Sequence, residues 1–183
     1  HVNYYMDLAN MKARQREARA TGEEMAEMYY TSTIVDTVLC LEGMEVIGAY
    51  LANKLTKAGV LSKNAHQTMY IASPEYDPAG QIIFRENTLP MVRGKNVLIL
   101  MASCTTGFTA HKGIEAVGYY GGEVVGIAAL YSAVDNVSGL PVRSVYNLSD
   151  LPDYASYDYK DCPYCKKGRK IDALVNSHGY SSL

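Results

Sequence analysis

The chain has 183 residues, with 17 Lys+Arg against 19 Asp+Glu, a formal net charge of -2 and 48% hydrophobic residues. That length suits one domain with a sizeable core, and the apolar fraction excludes wholesale disorder. The near-balance of charge leaves no excess to draw nucleic acid or a membrane surface, and the longest apolar runs (97–102 and 124–131) fall well short of the roughly 20 residues of a membrane span.

Residues 7–30 read as helical, with Met11, Ala18, Met25 and Met28 spaced for one face. Thr21-Gly22-Glu23-Glu24 fits a capping box, so two helices are expected with a break there. The β-branched run 33–40 is a buried strand candidate, Glu42-Gly43 breaks it, and 44–57 turns helical with Gly59 as C-cap. Residues 67–72 form a short strand. Residues 73–94, with Pro74, Pro78, Gly80 and Pro90, read as a long loop or β-arm, a length common in active-site lids. The strongest strand is 97–101 (VLILM), followed by a small-residue loop over 102–108 and a helix over 109–120. Strands follow at 124–130 and 141–146, the latter expected to be the last.

Strands alternating with helices predict an α/β fold: a mainly parallel central sheet flanked by helices, with right-handed crossovers. Runs such as VLILM fit strands covered on both faces. The α/β part is expected to occupy 1–150, and the irregular, Cys-containing 151–183 to pack on it as an extension. Four cysteines, with Cys40 and Cys104 in apolar segments, are too few for a disulfide scaffold and fit a reducing, cytoplasmic compartment. Sixteen Tyr and no Trp suit half-wet surfaces or subunit contacts.

In parallel sheets ligands gather beyond the carboxyl ends of the strands, which singles out the loops at 40–46 and 102–109. The second combines hydroxyls (Ser103, Thr105, Thr106, Thr109), a glycine (Gly107) and a helix start. Hydroxyls donate to phosphate oxygens, glycine permits close backbone approach, and the first N–H groups of a helix attract an anion. The same residues also make an ordinary strand–helix turn with Thr106 or Thr109 as N-cap.

This stretch, strand then Thr-Thr-Gly-x-Thr then helix, with Tyr119-Tyr120-Gly121-Gly122 before the next strand, resembles the phosphoribosyl pyrophosphate loop of type I phosphoribosyltransferases. The orotate phosphoribosyltransferase branch fits best. Residues 35–43 before a helix look like the family's pyrophosphate loop, and Arg93-Gly94-Lys95-Asn96 and Leu140-Pro141-Val142 match in position. The resemblance covers roughly 33–147. It implies that Ser103, Cys104, Thr105, Thr106, Gly107, Phe108 and Thr109 bind the 5′-phosphate and that Leu41, Glu42 and Gly43 lie at the pyrophosphate. The 73–94 segment would be the flexible arm, with Arg85 as a cation on it. Magnesium would ride on the pyrophosphate, and a homodimer is the implied assembly.

Two positions depart from the family pattern. Met101-Ala102 stand where two adjacent acidic residues usually hold the ribose hydroxyls, and the arm has no Lys between Ser73 and Arg93. An electrostatic contact missing from a transition state costs about a hundred- to thousand-fold in rate. Two functions follow: transfer of phosphoribose to orotate or another base, or an impaired module of the same fold that senses a nucleotide. A carboxylate at Glu42 repels pyrophosphate unless a cation intervenes; Glu42 and Glu45 otherwise read as acids favoured by a helix N-terminus.

At the C-terminal end, Cys162-Pro163-Tyr164-Cys165 is a C-x2-C knuckle of the kind zinc sites use. A full site needs four ligands, for which His178 is a third candidate; packed free thiols are the other reading. Lys166, Lys167, Arg169 and Lys170 read as a solvated turn or a patch for acidic partners. His111 could reach a phosphate or base, and Asp135-Asn136 could line the ribose pocket or simply turn the chain.

Overall fold

A computed structural model describes residues 1–57, 59–65, 67–176 and 179–183. Among these residues, helices α1 (Ala9–Ala13), α2 (Gln15–Glu27), α3 (Glu45–Lys57), α4 (Phe108–Tyr119) and α5 (Pro163–Lys166) accompany ten strands. The central strands are β1 (Thr37–Cys40), β2 (Tyr70–Ala72), β5 (Asn96–Cys104), β6 (Glu123–Ser132), β7 (Asn136–Val137) and β8 (Leu140–Asn147). They form one sheet in the order β2-β1-β5-β6-β8-β7, parallel except at the β7–β8 pair. Two small antiparallel pairs complete the fold: β3 (Glu75–Tyr76) with β4 (Ile82–Ile83), and β9 (Ala173–Asn176) with β10 (Gly179–Ser182).

Alternation along β5 explains its continuous apolar run. Leu98, Leu100 and Ala102 face one core with α2 and α3, which contribute Ala18, Met25, Ile47 and Leu51. Val97, Ile99 and Met101 face another with Ala110 and Val117 of α4 and with Phe84, Leu89 and Val92 of the 73–94 segment. A strand in mid-sheet with both faces covered has no polar side. The α/β architecture is therefore the expected one.

Several boundaries move. The break in the first helical stretch falls at Arg14 (ψ 122°), not at the Thr21 capping box, for Thr21 and Gly22 lie buried inside α2. A Cβ on Gly22 would stand 2.7 Å from the Ile47 carbonyl oxygen and 2.9 Å from the Leu51 nitrogen, so glycine is there to let α2 approach α3. The strand beginning at residue 33 starts at Thr37, and the one at 67 starts at Tyr70. Strand β5 runs on through Cys104, because β6 continues beside it and pairs Ser103 with Tyr131 and Cys104 with Ser132. The loop after β5 thus shrinks to Thr105–Gly107. The strand over 141–146 (β8) is not the last, since β9 and β10 follow. No helix among the described residues is long and apolar enough to cross a membrane.

The first residues and the extension are knit together. Val2 and Ser156 form an antiparallel bridge, the Asn3 amide donates to the Ala155 carbonyl at 3.1 Å, and the Tyr157 amide donates to the His1 carbonyl at 2.7 Å.

Candidate functional site

Strands β1 and β5 are neighbours, so the loops at their carboxyl ends lie side by side. The β1 loop turns through Glu42 and Gly43, with φ of 59° and 77°. A left-handed backbone costs a residue with a Cβ roughly 1–2 kcal/mol, and specific bonds hold Glu42 there. Its carbonyl accepts the Lys12 ammonium at 2.9 Å. Its carboxylate oxygen Oε2 accepts the backbone N–H of Ala102 at 3.1 Å and, more loosely, of Ser103 at 3.4 Å.

The β5 loop turns through Gly107 (φ 79°), which is the N-cap of α4. Neither Thr106 nor Thr109 is the N-cap: Thr109 lies inside the helix, and Thr106 Oγ1 sits 3.5 Å from the Phe108 nitrogen. A Cβ on residue 107 would stand 2.8 Å from Val137 Cγ2, so β7 closes the far side of the turn. Ser132 Oγ, 3.2 Å from the Cys104 carbonyl and 2.6 Å from that of Val134, buttresses it from below. The first N–H groups of α4 have no partner within the helix, and Thr105, Thr106 and Thr109 flank the same turn, donors of the kind a dianion takes.

The family-derived candidates divide by burial. Ser103, Thr105 and Thr109 are half-buried and Thr106 exposed, all beside the turn. The side chains of Leu41 and Cys104 are buried in the core, so these two offer only backbone to a ligand. Burial also pushes the Cys104 thiol up, leaving it a neutral group. Phe108 is exposed, with the Lys112 ammonium 4.8 Å from its ring centroid.

Glu42 separates two depressions. One, of about 420 Å³, lies between Gly43, Glu45, Thr109 and the arm residues Ser73, Pro74 and Tyr76. The other, of about 190 Å³, lies toward the first residues of the chain, with Tyr4, Leu8, Ser103, Thr105 and Tyr154 in its wall. Burial first and the Glu42 charge second raise the Tyr76 hydroxyl above its ordinary range, keeping it a hydrogen-bond donor. Glu45 accepts Ser73 Oγ at 2.8 Å.

The arm is a β-hairpin held at both ends. Arg85 grips Glu75 with two nitrogens, at 2.8 and 2.5 Å, and Lys112 of α4 donates to the Gly80 carbonyl near the tip at 3.2 Å. Arg85 is thus engaged within the hairpin. His111 lies 3.9 Å from Glu115, one turn along α4. Asn136 Oδ1 accepts the Gly139 amide at 2.9 Å, a turn-forming role. Lys166, Lys167, Arg169 and Lys170 are exposed, with the Arg169 guanidinium 5.5 Å from the Tyr164 ring centroid. The thiols of Cys162 and Cys165 are free and stand beside His1; His178 lies outside the described residues. Lys12 and His1 carried no local signal in the sequence, because each meets its partner across a long stretch of chain.

No family model matches the chain. A protein of Caldanaerobacter subterraneus named orotate phosphoribosyltransferase is 32% identical over 42% of this chain, a stretch that spans 39% of that protein. One of the same name from Campylobacter jejuni is 23% identical over 93% of this chain and 84% of its own length. Among solved structures, Mycobacterium tuberculosis orotate phosphoribosyltransferase in complex with 5-phospho-α-D-ribosyl 1-diphosphate matches with a TM-score of 0.58 and 24% identity, covering 80% of this chain and 82% of that one. The chain therefore folds as a type I phosphoribosyltransferase, and its sequence likeness runs to the orotate phosphoribosyltransferases.

Proposed function

We propose that this protein binds phosphoribosyl pyrophosphate, or a nucleotide through its 5′-phosphate, at Ser103–Thr109 and transfers the phosphoribosyl group to a nitrogenous base, orotate foremost. The observation that carries this reading is the carboxylate of Glu42, fixed on the N–H of Ala102 and standing between the β1 and β5 loops. Met101 and Ala102 supply no acid, and the carboxylate arrives from the neighbouring loop instead. There it accepts hydrogen bonds from ribose hydroxyls and stabilises positive charge growing on the ribose ring as pyrophosphate departs from C1. Lys12, bonded to the Glu42 carbonyl, brings a cation to the pyrophosphate side. The Tyr76 hydroxyl supplies a neutral donor from the arm.

Hard oxygen donors suit magnesium, and Glu42 and Glu45 line one depression, so they fit an ion arriving with the pyrophosphate. Bound there, magnesium would neutralise the charge of the leaving group. Positioning by the two loops supplies the rest of the rate. A homodimer belongs to this reading through the resemblance, and its mass in solution checks it.

A second reading is favoured by the buried Met101–Ala102 pair and by the capture of Arg85 by Glu75: a module that binds the same ligand without turning it over. One experiment separates the two. Purified protein is given orotidine monophosphate, pyrophosphate and magnesium, and orotate release is followed. Turnover that is lost in Gly107→Asp supports the transferase; calorimetric binding of phosphoribosyl pyrophosphate without turnover supports the sensor; no binding at all dismisses both.

A further inference from the structure

We propose that His1, Cys162 and Cys165 form a zinc site that staples the first residues of the chain to the C-terminal extension. His1 Nδ1 lies 3.0 Å from Cys162 Sγ and 3.3 Å from Cys165 Sγ, and the three donor atoms all fall within 4.8 Å of one another. In a tetrahedral site with Zn–S near 2.3 Å and Zn–N near 2.0–2.1 Å, a nitrogen and a sulfur stand roughly 3.5 Å apart. Both observed N–S distances lie within about half an ångström of that arrangement.

Hydrogen bonding alone accounts poorly for the cluster. A ring nitrogen has either one hydrogen or one lone pair, yet two sulfurs converge on Nδ1. The knuckle is shaped for convergence: Cys162 is the N-cap of α5, Pro163 begins the helix, and the Cys165 amide donates to Cys162 Sγ at 3.5 Å. Such an N–H bond stabilises a thiolate and orients it. Two soft sulfurs and an imidazole favour zinc over magnesium or calcium. Cys162 is fully buried while Cys165 is exposed, so a metal can reach the cluster from one side. The fourth position is left for water or a further side chain.

The site would act on the ligand cleft through the backbone. His1, Val2 and Asn3 are already paired with residues 155–157, and Tyr4 continues from them to the Tyr154 ring, with centroids 5.6 Å apart. Tyr4 and Tyr154 wall the smaller depression beside Glu42. A metal at His1 fixes the near end of that wall, a structural role that stands whether or not the protein catalyses transfer.

The test uses the full chain, reduced, loaded with zinc and desalted. Mass spectrometry of the eluted metal should find about one zinc per chain, and zinc should raise the melting temperature by at least about 5 °C, reversibly with a chelator. Cobalt(II) in its place should give the intense d–d bands of a tetrahedral ion and a thiolate-to-cobalt charge-transfer band. That band should fall by about half in Cys162→Ser and in Cys165→Ser, and zinc affinity should drop more than about tenfold in His1→Ala. Absence of retained zinc, a cobalt spectrum without the thiolate band, or a Cys162–Cys165 disulfide in reducing buffer would overturn the proposal, as would a His1→Ala protein that binds as tightly as the parent. The parent's cobalt spectrum and chelator response decide the matter even where a variant fails to fold.

Discussion

The Glu42 carboxylate lies 3.1 Å from the backbone nitrogen of Ala102, so an acid that belongs to the β1 loop is anchored on the end of β5. The two strands are hydrogen-bonded neighbours, and Cys40 stands opposite Leu100, which brings the next residues of both within side-chain reach. Glu42 accepts a left-handed backbone to make that contact. A strained non-glycine residue at the mouth of a cleft points to function.

Glu42→Gln keeps an oxygen for the Ala102 amide and removes the charge. Phosphoribosyl transfer should fall about a hundredfold in kcat with little change in melting temperature. Glu42→Gly should lose activity as fully and melt no lower than Gln, because glycine adopts the left-handed backbone without the roughly 1–2 kcal/mol penalty. Steady-state kinetics and thermal melts of both proteins check this; a Gln variant with parental turnover would remove Glu42 from the chemistry.

Gly107 tests the phosphate turn. Alanine there meets two obstacles, a φ of 79° and a contact of 2.8 Å with Val137 Cγ2. Gly107→Ala should weaken binding of phosphoribosyl pyrophosphate at least about tenfold, since the turn must shift to admit the methyl group. Removing the second obstacle with Val137→Ala in the same chain should recover part of the loss and not all of it. Titration calorimetry of the two single variants and the double gives the coupling directly. Full recovery would mean that the backbone angle at 107 is immaterial.

Legibility in the sequence followed the range over which each feature is determined. The 97–101 run is decided locally, by a strand with apolar neighbours on both faces, and it stood out. The Thr105–Gly107 turn, too, is spelled by adjacent residues. Glu42 and Ala102 are 60 residues apart, Lys12 and Glu42 30 apart, and His1 and Cys162 161 apart. No window along the chain contains both members of such a pair. Thr21-Gly22 misled for a related reason: the residues satisfy a capping pattern, but α3, an element outside the window, claims them for packing. The arm was readable as an arm from its prolines and glycines, whereas the engagement of its only cation before Arg93 depends on how the hairpin closes.

From that engagement a pH response of the arm is expected. The hydrogen bond from Arg85, ahead of its charge, holds the Glu75 carboxyl below the ordinary value of 4.5. The folded value being the lower one, the pair's contribution is complete above the unfolded carboxyl's range and disappears as pH falls through the folded value. Both side chains are exposed, so the effect is confined to local order of the hairpin. Amide exchange of residues 75–83 should be slowed equally at pH 7 and 6 and lose protection, relative to the core strands, only once the pH falls below the ordinary carboxyl range, after correction for intrinsic rates. In Arg85→Gln this acid step should vanish. An unchanged step in that variant would assign the pH response to another carboxylate.

Gly22 offers the sharpest packing test. Helix propensity alone favours Gly→Ala by about 1 kcal/mol. At Gly118 of α4, where an added Cβ meets nothing within 4 Å, Ala should deliver most of that gain. At Gly22 the new methyl would press on the Ile47 carbonyl oxygen at 2.7 Å and the Leu51 nitrogen at 2.9 Å, both backbone atoms of α3 that no rotamer change can move aside. Separating the helices to relieve the overlap opens the packing of Met25, Ile47 and Leu51, and overpacking of this kind costs about 1–3 kcal/mol. Gly22→Ala should therefore be destabilising on balance by about 1–2 kcal/mol, opposite in sign to Gly118→Ala, in urea unfolding followed by circular dichroism. Because α3 begins two residues after Gly43, a displaced α3 should also reduce ligand affinity in the Gly22 variant and leave it untouched in the Gly118 variant.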